Sequence, residues 1–179
     1  MMALGLYHLP TYENLYLFIE IMGVSKTMSA STFDFDTIRK LSTKSIPFAE
    51  RAGVDLVEFE RGYVKMKIPF EGNQNHVGTM YAGALFTLAE IPGGVLFMSA
   101  FDMSKFYPIV AEMNIKFLKP AKTDIYVEAR LNDEEIARIT EEVTANGKST
   151  FMLEKELKDE NGEIVATTTG RYQARAMGR

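Results

Sequence analysis

The 179-residue chain contains no cysteine and only two histidines, His8 and His76. The first absence excludes disulfides, thiolate nucleophiles and thiolate metal sites. The second leaves too few imidazoles for a His-rich centre, so no metal is expected. A Ser-His-Asp triad would have to use His8 or His76, and the Gly-x-Ser-x-Gly elbow that accompanies many such triads is missing. Basic runs are missing too: 20 Lys and Arg stand against 24 Asp and Glu, a net charge of −4. That balance argues against a nucleic-acid partner. Residues 1–27 are rich in Leu, Ile and Tyr, yet no Lys or Arg precedes Lys26, and Glu13 and Glu20 interrupt the apolar residues. A signal peptide needs a basic start and a membrane span needs about 20 continuous apolar residues. The segment meets neither requirement, so no membrane partner is expected. It reads as an extension, either an added amphipathic helix or sequence upstream of a start at Met28. A single domain over 28–179 follows.

What is present is a strong succession of patterns. Asp34 or Asp36 can cap a short helix through Ile38, Leu41 and Ile46, closed by Pro47, and the Pro47–Gly53 stretch adds one more helical turn. Val54–Glu60 and Tyr63–Phe70 predict a hairpin, with Val64, Met66 and Ile68 alternating against Lys65 and Lys67. Residues 72–78 read as loop. A helix from about Thr79 to about Ala100 is apolar nearly all round and should be buried. Pro92, Gly93 and Gly94 would kink it or admit a close neighbour. Tyr107–Leu118 and Thr123–Leu131 alternate as strands. Residues 133–147 switch to helical spacing through Ile136, Ile139 and Val143, with Asp133 as the cap and Gly147 at the end. Lys148–Lys158 and Glu163–Arg175 are two further strands around an Asp-Glu-Asn-Gly turn.

That order predicts an α+β fold, a curved antiparallel sheet wrapped around a long central helix, with a helical insert at about 133–147. One small sheet cannot cover so apolar a helix, so a homodimer or dimer of dimers is expected.

The stretch from Asn75 to Glu90 carries the chemistry. It is a loop punctuated by Gly78 and Gly83 that runs into the long helix. Gly83, Thr87 and Glu90 fall at i, i+4 and i+7 and share a face, while Leu85, Leu88 and Pro92 lie elsewhere. A glycine near a helix start lets a ligand approach free N–H groups, which favour negative charge. An acid two turns on can move a proton or activate water.

The residues Asn75, Gly78, Tyr81-Ala82-Gly83, Leu85, Leu88-Ala89 and Glu90 fall in register with a pattern that resembles the hotdog-fold acyl-CoA thioesterases, in particular their PaaI-like branch. Similar segments extend over roughly 45–175. They include the hairpin up to Phe70, the strand Asn114–Ala121 and the final hairpin around Asn161-Gly162. The resemblance implies acyl-CoA thioester hydrolysis in a cytoplasmic homodimer or homotetramer, with a CoA thioester as substrate and no bound cofactor. It assigns Gly83 as backbone oxyanion donor and Glu90 as general base or nucleophile facing Gly83 of the opposite subunit. Asn75 would orient the loop or a water, and Thr87 would bond the acid or the water. His76, Gly78, Tyr81 and Ala82 would line the substrate, and Lys119 and Lys122 would meet the CoA phosphates. Two positions depart from the pattern: Tyr81 stands where the family keeps His, and Ala82 where it keeps Gly.

Two other readings remain open. His76 lies fourteen residues before Glu90, similar to the His and acid of hotdog dehydratases, although Val77-Gly78-Thr79 follows it here instead of Phe-Pro-Gly. A non-catalytic acyl-CoA-binding protein would equally account for Tyr81 and Ala82.

Overall fold

The computed structural model describes residues 35–178. The 1–27 extension and the Asp34 cap lie outside them. Helix α1 (Phe35–Lys44) buries Ile38, and Arg39 pins it to the first strand by donating from Nε to Asp55 Oδ1 at 2.6 Å. Pro47 begins the short α2 (Pro47–Arg51). There its missing N–H costs nothing, because the first turn of a helix has no acceptor for it.

The sheet is built from β1 (Asp55–Glu60), β2 (Tyr63–Ile68), β3 (Phe106–Phe117), β4 (Ile125–Arg130), β5 (Lys148–Asp159) and β6 (Ile164–Ala176). All pairings are antiparallel, in the spatial order β1-β2-β4-β5-β6-β3. Helix α3 (Ala82–Ala100) crosses one face and touches β2, β3, β4, β5 and β6. One helix can meet strands that far apart only if the sheet curves round it. Val64, Met66 and Ile68 from β2, and Leu88, Ala89 and Leu96 from α3, have no exposed surface. The apolar composition of α3 is therefore that of a core helix.

Three expectations need correction. The long helix starts at Ala82 and not at Thr79, because the Met80 and Tyr81 N–H groups are held by loop carbonyls. Helix α4 (Asp133–Asn146) is capped by Asn132 and not by Asp133. Asn132 Oδ1 accepts from Glu135 N–H at 2.8 Å and Glu135 returns the bond to Asn132 N–H at 3.0 Å, a capping box. The regular inward row expected along β3 is broken. Both of its faces are largely open, with Ile109, Val110 and Phe117 exposed, because β3 lies at the sheet edge beside β6 and bulges after Val110. Gly147 ends α4 at φ +75°, as its position predicts.

Gly93 of α3 and Gly170 of β6 make room for a ring and not for a backbone. A Cβ on Gly93 would lie 2.1 Å from Tyr172 Cε1, and one on Gly170 would lie 2.5 Å from Tyr172 Cε2. Tyr172 thus fills the space between α3 and β6 that two missing side chains leave. Helix α3 runs through Pro92 without a break.

Candidate active site

The loop before α3 is fixed by its own polar groups. Asn75 Oδ1 accepts from Val77 and Thr79 N–H at 3.0 and 3.1 Å, and its amide donates to Thr79 Oγ1 at 2.9 Å. Gly78 takes φ +75° to close the turn. The Asn75 side chain is thereby committed to the loop. A second asparagine, which the sequence did not single out, does the anchoring: Asn73 Nδ2 donates to Ala52 O and Pro69 O, and Asn73 O receives Tyr81 N–H at 2.8 Å. Met80 N–H reaches Ala121 O at 2.8 Å, which brings the 119–122 segment beside the start of the helix.

Tyr81 occupies the N-cap in an extended conformation with no side-chain cap. Its carbonyl accepts from Ala84 and Leu85 N–H at 3.0 and 3.1 Å. The Ala82 and Gly83 N–H groups have no acceptor among the described residues. Two parallel donors at the positive end of a helix suit an oxyanion. Tyr81 itself lies over them: a Cβ on Gly83 would come 2.3 Å from Tyr81 Cε1. Although 56% exposed, the phenol packs on the very glycine that was expected to admit a ligand.

Glu90 lies two turns further along α3, half-buried. Its carboxylate has no hydrogen bond or ion pair among the described residues, and burial raises its pKa above 4.5. The Lys155 charge opposes that shift. Lys155 projects from the inward face of β5, the face shared by Phe151, Leu153 and Leu157, and is 4% exposed. Burial drives its pKa down to about 8, against the pull of Glu90. Its Nζ donates to Tyr172 Oη at 2.9 Å, and Tyr172 Oη donates weakly to Glu90 O at 3.5 Å. Beside Lys155 in the ladder stands Thr168, buried, with an Oγ1 that has no partner among the described residues. Lys155, Tyr172 and Thr168 were not singled out from the sequence. A charged residue in phase with the apolar row of an alternating strand was the available signal.

The other expected residues divide. Thr87 donates to Gly83 O at 2.8 Å and not to the acid, the helix back-bond common for threonine. His76 is exposed in the loop and makes no bond to Glu90. Lys119 pairs with Glu163 at the surface, and Lys122 is exposed near the α3 start. No group of three or more His, Asp or Glu is placed to hold a metal among the described residues. Glu90 lies seven positions after Gly83, a rise of about 10 Å along the helix. A reacting carbonyl within about 3 Å of the donors is therefore out of reach of the same chain's acid.

A family model described as a domain of unknown function, DUF4442, matches residues 36–173. Among curated proteins no sequence matches. A solved structure from Pseudomonas aeruginosa, a protein of unknown function and probable thioesterase, is 48% identical over 80% of this chain and 97% of its own, with a TM-score of 0.78. A Chlorobaculum tepidum protein of unknown function shares 16% identity over 78% of this chain and 93% of its own, TM-score 0.69. A thioesterase from Haemophilus influenzae shares 12% over 83% and 94%, TM-score 0.66. The last two likenesses are of fold. The architecture is the hotdog fold that the sequence resemblance implied.

Proposed function

The chain belongs to the DUF4442 family, and from that premise we propose that it hydrolyses an acyl-CoA thioester at a site shared by two copies of itself. One observation carries the reading: a half-buried carboxylate without a donor, Glu90, lies on the same helix as two unclaimed N–H groups, those of Ala82 and Gly83. An antiparallel second copy of α3 would bring the acid of one chain to the donors of the other. The β3 edge supports such a copy. Its exposed Ile109, Val110 and Phe117 adjoin exposed Leu118, and Phe86 and Tyr81 are exposed on and beside α3. An open apolar edge strand is a ready pairing surface.

In this reading the thioester carbonyl accepts from the Ala82 and Gly83 N–H groups. Glu90 of the opposite chain then acts in one of two ways. As base it takes a proton from water while the water oxygen bonds to the carbonyl carbon; the C–S bond breaks and the thiolate leaves with that proton. As nucleophile it bonds to the carbonyl carbon first, expels the thiolate, and water later cleaves the anhydride. Burial strengthens Glu90 in either role, since a raised pKa means a stronger base. Tyr81 must turn aside from Gly83 for the carbonyl to reach the donors. Lys122, with Lys119 once it leaves Glu163, supplies charge for the CoA phosphates.

Free-thiol release from a panel of acyl-CoAs tests the reading. Turnover by the wild type that disappears in Glu90→Gln supports it, and hydrolysis untouched by Glu90→Gln would sink it. A second reading, binding without catalysis, is favoured by the Tyr81 ring on Gly83. Saturable acyl-CoA binding with no turnover on any chain length would select it. The exposed, unbonded position of His76 gives dehydration no comparable support.

A further inference from the structure

Behind Glu90 the core holds polar groups that the hydrolytic site leaves idle. Lys155 is 4% exposed, and among the described residues one of its three N–H donors is used, on Tyr172 Oη at 2.9 Å. Thr168 is equally buried and its Oγ1 has no partner among the described residues. The two are directly opposed on β5 and β6. Buried donors and acceptors left unpaired cost stability, and such groups persist where something else satisfies them. Glu90 does not: it acts on Lys155 through its charge and forms no ion pair with it.

On the outer side of the same strands opens a cleft of about 540 Å³, walled chiefly by outward-facing residues of β4, β5 and β6. It opens where β4 and β5 part beyond the Val127–Leu157 pair, and Val127, Lys155 and Thr168 line it. Its outer wall carries Glu128, Glu154 and Glu156 against Lys158, a sign that repels CoA phosphates. A CoA arm would then approach from the α3 start, and an acyl group passing Glu90 would head towards Lys155, which feels the Glu90 charge, and Thr168 beside it.

Resting on the thioester reading, we infer that Lys155 and Thr168 form a specificity subsite for an acyl group bearing a neutral hydroxyl or oxo substituent. The charge balance selects neutrality. The Lys155 ammonium already lies within the field of the Glu90 carboxylate, so an added carboxylate would place a second anion beside the acid. A hydroxyl or carbonyl oxygen can accept from the unused Lys155 N–H, and Thr168 Oγ1 can bond to either. A plain alkyl end leaves all of them unpaired.

The test uses CoA thioethers, which lack the carbonyl and so report binding whether or not the protein hydrolyses anything. Hydroxypropyl to hydroxypentyl thioethers are compared by calorimetry with plain alkyl thioethers one methylene longer, and with carboxyalkyl ones. The hydroxyl series should bind the wild type at least roughly tenfold tighter than its alkyl isostere. Lys155→Met should reverse that preference, and Thr168→Val should reduce it. Tighter binding of the alkyl series by the wild type, or a hydroxyl preference that survives Lys155→Met, overturns the subsite. Tighter binding of the carboxyalkyl series overturns neutrality. A hydroxyl preference in a protein that releases no thiol sinks hydrolysis and keeps the subsite, whereas turnover with no hydroxyl preference does the opposite.

Discussion

Replacing Lys155 by methionine should stabilise the protein at neutral pH and cease to do so at alkaline pH. Lys155 is 4% exposed, and burial lowers its pKa from 10.5 to about 8. At about 1.4 kcal/mol per unit, the charged lysine is about 3 kcal/mol less favourable in the fold than in the unfolded chain. Methionine has a similar length and removes that penalty. It also removes the 2.9 Å bond to Tyr172, and losing a buried hydrogen bond costs about 1–2 kcal/mol. The balance near pH 7 is a gain of about 1–2 kcal/mol. Because the folded-state pKa is the lower one, the penalty is fully present below about pH 8. It fades as pH rises towards 10.5, where the unfolded chain still holds the proton that the folded chain has released. The wild type therefore gains stability across that interval and the variant gains none from this group. Near pH 10.5 the variant should be about 1 kcal/mol the less stable of the two. Urea unfolding followed by far-ultraviolet circular dichroism, at fixed protomer concentration, measures the difference at several pH values. A variant less stable than wild type by the same amount at neutral and alkaline pH would refute the reasoning, since Lys155 would then be held by its contacts and not carried at a cost.

Glu90→Gln should reduce kcat by about 10²–10⁴-fold, the usual worth of a positioned base, with the circular dichroism spectrum unchanged; retained turnover contradicts the role. In the wild type, kcat/KM should rise with pH through an acid limb above 4.5, because burial raises the Glu90 pKa. The same shift means that Glu90 erodes stability as pH climbs from 4.5 through its folded pKa. Gly83→Ala should reduce activity because its methyl group collides with the Tyr81 ring. Adding Tyr81→Ala should restore it, and a double variant no better than the single one shows that the ring was not the obstacle. Val110→Lys, on the exposed β3 edge, should shift sedimentation from dimer to monomer and abolish hydrolysis together; full activity in a monomer excludes the shared site.

The fold was legible wherever local pattern and tertiary role agree. The β2 alternation, the all-round apolarity of α3, the Gly147 stop and the Asp159–Gly162 turn each follow from residue types that admit few alternatives. The pattern failed where a distant partner decides. Thr79–Tyr81 looks helical, but the Met80 and Tyr81 N–H groups go to Ala121 O and Asn73 O, and no local spacing reveals those carbonyls. Asn132 and Asp133 are both good caps, and the choice rests on which side chain reaches Glu135 N–H. Of the candidate site, Glu90 and Gly83 could be read from their shared helix face. Lys155 could not be linked to Glu90, because the two approach only when β5 is laid beneath α3. Tyr172 was equally hidden: its contact with Gly93 joins residues on different elements, and Gly93 alone suggested a kink or a close backbone.

The β4–β5 ladder has a consequence for how the molecule is made. Those strands join over three residue pairs, from Ile125–Asp159 to Val127–Leu157, so the sheet is two leaves, β1-β2-β4 and β5-β6-β3, held by a short seam. The chain crosses between the leaves three times, before β3, before β4 and before β5. Strand β3 is synthesised before β4, yet β6 is its only neighbour among the described strands. Until Ala176 leaves the ribosome to meet Phe106, the outer leaf is open and one side of α3 is bare. Each new chain thus passes through a stage in which β3 can pair with whatever strand arrives first, and a nascent copy of itself offers the same edge.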